Sequence, residues 1–365
     1  MHLDEKWMKT AINLASAAQG QTSPNPAVGS VVVKDGRVVG MGAHLKPGEA
    51  HAEVYALQMA GSHAEGSTIY VTLEPCSHFG KTPPCADLII EKKVKRVVIG
   101  SVDPNPKVSG TGIGKLKKAG IDVTTGVCQT ETDKLNEYFF YAMKYKKPFI
   151  TLKTAMSLDG KTATNSGHSK WVTGRAARED VHRDRHMHDA ILVGVNTVKR
   201  DNPSLTVRLP EGGVSPKRVI LDTKLTIPLQ SKLLHDGEAE VFIICGRNAD
   251  KEKERELNGL VNVNVCRMNQ ESIQVQSVLT YLFKNDIHSV YVEGGSEIHA
   301  SFIEAKAVNR FITYIAPKLI TGRDAKGVIG GNGIQLMDEA FNLTIEHVEM
   351  IGSDIKVIAS PKGDE

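Results

Sequence analysis

Apolar residues recur at helical spacing over residues 4–19 (Trp7, Met8, Ile12, Leu14, Ala15), with Gly20 as a stop, so the chain is predicted to open with a helix. Two apolar runs, 28–33 and 38–41, flank Asp35-Gly36, the dipeptide that tolerates the positive φ of a tight turn, and they predict a β-hairpin. The pattern then alternates: helix 50–60, strand 68–73, helix 86–92, strand 96–100, helix 113–119, strand 121–126 and an amphipathic helix 131–144. Such alternation buries a sheet between two helical layers. Charge clusters at Lys144-Tyr-Lys-Lys and Pro148 interrupts, which places a boundary between domains 1–146 and 147–365. Beyond it come strands 149–155, 190–195, 218–222, 240–245 and 289–293, a charged helix from Lys251 and a helix 296–304, a second α/β domain.

Composition narrows the class. A chain of 365 residues exceeds one typical domain. With 45 basic against 42 acidic residues, no excess charge drives it toward a polyanion, so neither a nucleic-acid nor a membrane partner is expected. The N-terminal residues lack the basic and apolar sections of a secretory signal, and no apolar run approaches the ~20 residues of a membrane span. Five cysteines, an odd and small number, suit a reducing cytoplasm.

The chemistry concentrates in the first half. His51-Ala-Glu53, Glu74-Pro75-Cys76 and Cys85 supply one imidazole and two thiols, the three donors of a catalytic zinc site that keeps a fourth position open. Pro75 suits a first helical position, which predicts Cys76 at a helix N-terminus as a stabilised thiolate. Glu53 is left to move protons, the division of labour of zinc deaminases. The general signature ends P-C-x-x-C, whereas eight residues separate Cys76 from Cys85 here, and His78 between them is an alternative ligand. In the second half no Gly-x-Gly-x-x-Gly follows a strand, and Gly110-Thr-Gly-Ile-Gly114 has the wrong spacing. Glu293-Gly294-Gly295-Ser296, at a strand-to-helix junction, is the better phosphate-binding candidate.

Several runs together resemble one family: Ser23-Pro-Asn-Pro-Ala-Val-Gly, Gly48-Glu-Ala-His-Ala-Glu-Val, Val71-Thr-Leu-Glu-Pro-Cys-Ser-His-Phe-Gly-Lys-Thr-Pro-Pro-Cys-Ala, Leu152-Lys-Thr-Ala-Met-Ser-Leu-Asp-Gly-Lys and Asp201-Asn-Pro-Ser-Leu-Thr-Val-Arg. The chain is similar along nearly its whole length to the bifunctional deaminase/reductases of riboflavin biosynthesis, in which the longer cysteine spacing is the rule. The resemblance implies a cytidine-deaminase-like α/β/α sandwich followed by a dihydrofolate-reductase-like α/β domain, with zinc and NADPH as cofactors. It implies deamination of 2,5-diamino-6-ribosylamino-4(3H)-pyrimidinone 5′-phosphate, then reduction of the ribosyl chain to ribityl, by a homo-oligomer acting on small molecules.

Carried over by position, His51, Cys76 and Cys85 hold zinc and Glu53 is catalytic, while Asn25, His44, Lys81, Asp103 and Asn105 line the deaminase pocket. In the reductase, Ala155, Trp171, Thr197, Asp201, Gly295 and Ser296 would contact NADPH. Ser169, Arg185, Leu205, Arg208 and Glu293 would bind substrate, with Lys153 and Asp201 assisting at the sugar carbon. The competing reading, a nucleic-acid or nucleoside deaminase with an unrelated second domain, requires a basic groove that the near-neutral charge disfavours.

Overall fold

The computed structural model describes residues 2–77, 83–105 and 108–363. It divides into two compact units, Met1–Lys147 and Pro148–Glu365.

In the first unit the elements run α1 (His2–Ser16), β1 (Gly29–Lys34), β2 (Arg37–Ala43), α2 (Ala52–Ala60), β3 (Thr68–Leu73), α3 (Cys85–Glu91), β4 (Arg96–Ser101), α4 (Thr111–Lys118), β5 (Asp122–Thr125), α5 (Gln129–Leu135) and α6 (Glu137–Tyr145). The sheet order is β2-β1-β3-β4-β5, antiparallel where β1 meets β2 and β3, and parallel beyond. Successive strand side chains point to opposite faces. Val32, Ile69, Val71, Val97 and Ile99 accordingly pack with Ala56, Leu57, Ile89 and Leu116. Val31, Val33, Tyr70 and Val98 pack on the other face with Trp7, Met8 and Ala11. Two glycines let the helices close down: a Cβ at Gly29 would lie 2.0 Å from the Ala11 carbonyl oxygen, and one at Gly40 2.0 Å from that of Ala56.

One predicted helix divides. The amphipathic pattern over 131–144 is served by α5 and α6, which break at Asn136. There the side chain is recruited away from helix geometry: Asn136 Oδ1 accepts from Ala27 N and its Nδ2 donates to Ala27 O, both at 2.8 Å in a buried position. This pairing joins residues 109 apart and leaves no mark on the local pattern.

The second unit runs β6 (Phe149–Ser157), α7 (Arg175–Met187), β7 (Ala190–Gly194), α8 (Val195–Asp201), β8 (Lys217–Leu221), β9 (Val241–Cys245), α9 (Lys251–Asn258), β10 (Val263–Arg267), α10 (Val275–Lys284), β11 (Ser289–Gly294), α11 (Ser296–Glu304), β12 (Arg310–Ala316), β13 (Leu343–Ile351) and β14 (Asp354–Pro361). Its sheet follows β10-β9-β8-β7-β11-β6-β12-β14-β13, parallel from β10 through β12, with the last two strands antiparallel. Ile150, Leu192, Val219, Ile244 and Val292 form one face of the core, against Leu279 and Phe302. Ile191, Val193, Ile220 and Ile243 form the other, against Val198 and Leu257.

Helix α7 is docked chiefly by polar groups. Tyr314 Oη donates to Asp180 Oδ2 at 2.7 Å and to Asp184 Oδ2 at 3.1 Å, Tyr291 Oη donates to Asp184 Oδ2 at 3.1 Å, and the Lys356 ammonium pairs with Asp180. Just beyond its end, buried His188 donates from Nδ1 to Asp184 O at 2.6 Å and accepts from Thr151 Oγ1 at 2.8 Å. Burial pushes this imidazole down to about 4 from 6.5. The unfolded chain therefore binds the proton that the folded chain refuses, and His188 costs stability progressively as pH falls from 6.5 toward 4. In the folded full chain its Cε1–H resonance is expected to keep the neutral shift at pH 5.5; a midpoint near 6.5 would refute the burial argument.

Candidate active sites

In the first unit, the chain leaves β3 at Leu73 and runs without regular structure through Glu74, Pro75 and Cys76. Cys85 opens α3, His51 immediately precedes α2 and Glu53 lies in the first turn of α2. These segments bring His51 Nδ1 within 3.3 Å of Cys85 Sγ and 3.6 Å of Cys76 Sγ, and all three donor atoms lie within 4.8 Å of one another. Tetrahedral zinc with bonds of about 2.1 Å to nitrogen and 2.3 Å to sulfur separates such donors by roughly 3.5 Å, so the set fits the ion.

The structure corrects one expectation: Cys76 sits in a loop, and the helix N-terminus belongs to Cys85. Cys76 is still served by that helix, because Cys85 N donates to its Sγ at 3.2 Å. Hydrogen bonding from Cys85, then from His51, pulls the Cys76 thiol down to about 4, while the same pairing with Cys76 drives Cys85 upward.

Glu53 is buried. Burial, aided by the negative Cys76, pushes its carboxyl up to about 7, with His51 opposing. His44 packs edge-on against His51, ring centroids 5.5 Å apart. Its Nδ1 lies 3.2 Å from Ala50 O and its Nε2 3.1 Å from Asn25 Nδ2, an arrangement that fits a neutral ring donating to the carbonyl and accepting from the amide. Asn25 and His44 thus lie beside the candidate metal-binding residue His51. Asp103 and Asn105 follow β4; Asp103 N donates to Glu74 Oε2 at 3.3 Å, and Asp103 Oδ1 accepts from Asn105 N at 2.8 Å. Lys81 and His78 lie outside the described residues.

In the second unit Arg185, from α7, grips Glu293 with Nε and Nη2 at 2.6 and 3.1 Å, and Lys153 Nζ stands 3.7 Å from Glu293 Oε2. Glu293 falls where the register of β11 against β7 slips between Val292 and Gly294, a bulge that re-aims a side chain. Burial opposes its charge, but Arg185 and then Lys153 outweigh it and hold the carboxyl down at about 2. His182, one turn before Arg185 on the same helix face, accepts from Arg208 N at 3.2 Å. Burial, then the charges of Arg185 and Arg208, push it down to about 4. No motif marks His182 in the sequence; only its three-residue spacing from Arg185 on a helix points to it.

A cavity of about 760 Å³ lies past the carboxyl ends of β7, β8 and β11, where open parallel sheets bind ligands. Thr197, Asp201, Gly295 and Ser296 line it, together with Asn196, Thr223 and Lys224, which the sequence reading did not single out. Gly295 has φ +95°, a backbone conformation that favours glycine, at the entry to α11. Ala155, Ser169 and Trp171 are not in its lining. Ala155 packs beside Tyr291 and Tyr314, and exposed Trp171 carries the Arg178 guanidinium 4.6 Å from its ring. Leu205, expected at the substrate, instead buries its side chain in the core with Ile191, Val193 and Ile220.

Comparison with known proteins agrees with both halves. Residues 1–101 match the cytidine and deoxycytidylate deaminase zinc-binding region, and residues 148–357 the RibD C-terminal domain. The riboflavin biosynthesis protein RibD of Bacillus amyloliquefaciens is 50% identical over 360 residues, covering 99% of this chain and 97% of that one. RibD of Acinetobacter baumannii superposes with a TM-score of 0.91 at 38% identity, covering 99% of each chain. A Thermotoga maritima diaminohydroxyphosphoribosylaminopyrimidine deaminase/5-amino-6-(5-phosphoribosylamino)uracil reductase does so with a TM-score of 0.87 at 38% identity, again over 99% of each. The chain belongs to the RibD family, the bifunctional deaminase/reductases of riboflavin biosynthesis that use zinc and NADPH.

Proposed function

We propose that the unit Met1–Lys147 deaminates 2,5-diamino-6-ribosylamino-4(3H)-pyrimidinone 5′-phosphate and that the unit Pro148–Glu365 reduces the ribosyl side chain of the product. The observation that carries the first assignment is the convergence of His51, Cys76 and Cys85 within 4.8 Å, beside a buried Glu53. Zinc held by these residues supplies the Lewis acidity that makes water nucleophilic near neutral pH. Glu53 would take one proton from the attacking water and give it to the ring nitrogen, then take the second from the hydroxyl left on the ring carbon and pass it to the amine, so that ammonia departs as the carbonyl forms. Asn25 offers its amide oxygen to the pyrimidine and His44, both of whose nitrogens are engaged, lines the pocket beside it; Asp103 and Asn105 are assigned to the ribose and Lys81 to the phosphate.

In the reductase, NADPH supplies the hydride. Gly295 and Ser296, at the N-terminus of α11, are placed for its phosphates, and Thr197 and Asp201 line the same cavity. Ala155 and Trp171, which lie outside this cavity, are assigned as further cofactor contacts on the resemblance alone. Glu293 orients the Lys153 ammonium, which with Asp201 gives polar assistance at the sugar carbon. Arg185, Arg208 and Ser169 are assigned to the phosphorylated substrate on the resemblance. The decisive assay follows ammonia release and NADPH oxidation by the purified full chain on successive intermediates; absence of both ends this reading.

The same reading makes the chain a cytoplasmic homo-oligomer. Support for self-association comes from β13, at the sheet edge, which exposes Leu343, Ile345, Val348 and Met350. Sedimentation of a monomer at micromolar concentration would count against it.

A further inference from the structure

Glu74 sits between the two halves of the proposed deaminase pocket, and neither zinc binding nor proton transfer uses it. Its side chain is 4% exposed. Oε2 accepts from Gly110 N at 3.0 Å and Asp103 N at 3.3 Å; Oε1 accepts from Gly112 N at 3.0 Å and Ile113 N at 3.2 Å. Four main-chain N–H groups thus converge on one buried carboxylate, and they come from both ends of the segment that carries Asp103 and Asn105. The main chain of Glu74 adds a fifth bond, from its N–H to Ser101 O at 3.0 Å.

The other side of Glu74 is continuous with the metal site, because Pro75 alone separates it from Cys76. Contact is close there too: a Cβ at Gly112 would lie 2.1 Å from Pro75 O, and Ser77 Oγ lies 2.6 Å from Thr111 Oγ1. The loop that carries Cys76 is therefore tied at Glu74 to Asp103 on one side and to Gly110, Gly112 and Ile113 on the other. A carboxylate is suited to the task, since each of its oxygens accepts two bonds and it presents no hydrogen to clash with the donors.

We infer that Glu74 is a positioning residue for the deaminase: it sets Asp103 and Asn105, and with them the substrate, at a fixed distance from the metal ligand Cys76. The inference rests on the reading of Asp103 and Asn105 as substrate residues. Glu74→Gln tests it in the full chain, because the amide keeps the size but aims an N–H₂ group at main-chain donors. Zinc content and reductase rate stay at wild-type values, the deaminase KM rises roughly 10-fold, and kcat/KM falls on the order of 10²-fold, the cost of a misplaced substrate. In an Asp103→Asn background Glu74→Gln costs less than in the wild type, because the part of its effect that runs through the Asp103 carboxylate is already lost while the part through Asn105 remains.

A wild-type KM for Glu74→Gln, or full additivity with Asp103→Asn, overturns the inference. So does activity lost only in proportion to zinc, with KM unchanged in the loaded fraction. A silent Asp103→Asn overturns the substrate-loop reading and this inference with it, whereas a strong Asp103→Asn beside a silent Glu74→Gln overturns this inference alone. If Glu74→Gln does not fold, Glu74→Asp, which keeps the charge on a shorter arm, is expected to show the same KM increase at reduced size.

Discussion

A Glu53→Gln chain is expected to carry zinc at wild-type stoichiometry and to oxidise NADPH at the wild-type rate, yet to release ammonia roughly 10²- to 10⁴-fold more slowly. The expectation follows from position. Glu53 is in the first turn of α2, two residues beyond His51, and is buried beside the three donors that converge without belonging to them. Glutamine occupies the same buried volume, so the fold tolerates it, but it cannot shuttle a proton. Cys85→Ser is the contrasting variant: it loses the metal and ammonia release together while leaving the second unit intact. Metal analysis alongside both rates on the same preparations separates the two. Wild-type ammonia release from Glu53→Gln would remove Glu53 from the mechanism.

The second large effect concerns the ion pair in the other unit. Arg185→Met strips Glu293 of its two-point partner and leaves only Lys153, 3.7 Å away, in a site where the carboxylate side chain is 11% exposed. Breaking a buried pair from one side costs about 3–5 kcal/mol, because the remaining charge stays desolvated. The chain is expected to unfold at a lower temperature, with its reductase kcat/KM reduced roughly 10³-fold and ammonia release unaffected. Adding Glu293→Gln removes the stranded charge, so the double variant regains much of the stability and none of the activity. Thermal unfolding of the two single variants and the double, with NADPH oxidation, checks both halves; additive losses of stability would show that the pair is not coupled.

Much of the first unit was legible because its segments are short, locally patterned and separated by turn residues. Asp35-Gly36 marked the hairpin, and residues 68–73 alternate between two cores as the pattern required. The candidate zinc donors stood out for a different reason, since a histidine and two cysteines with a nearby glutamate are a chemically narrow set. The second unit resisted. Helix α7 carries few apolar residues, its buried face being Ala177, Val181 and His182, and its docking depends on aspartates that pair with Tyr291, Tyr314 and Lys356 from distant strands. Strands β10, β12, β13 and β14 and helix α10 went unassigned because brief apolar runs suit either helix or strand until a partner is known.

Chemical identity and local periodicity were thus carried by the order of residues: which groups can bind a soft metal, where a chain turns, and which family the motifs resemble. Three-dimensional packing settled the rest. It broke one helix at Asn136, assigned the helix N-terminus to Cys85 instead of Cys76, buried Leu205, and gathered four N–H groups on Glu74. Each of these outcomes depends on a partner many residues away, and a contact of that kind has a free energy only after the intervening chain has closed, which no local pattern records.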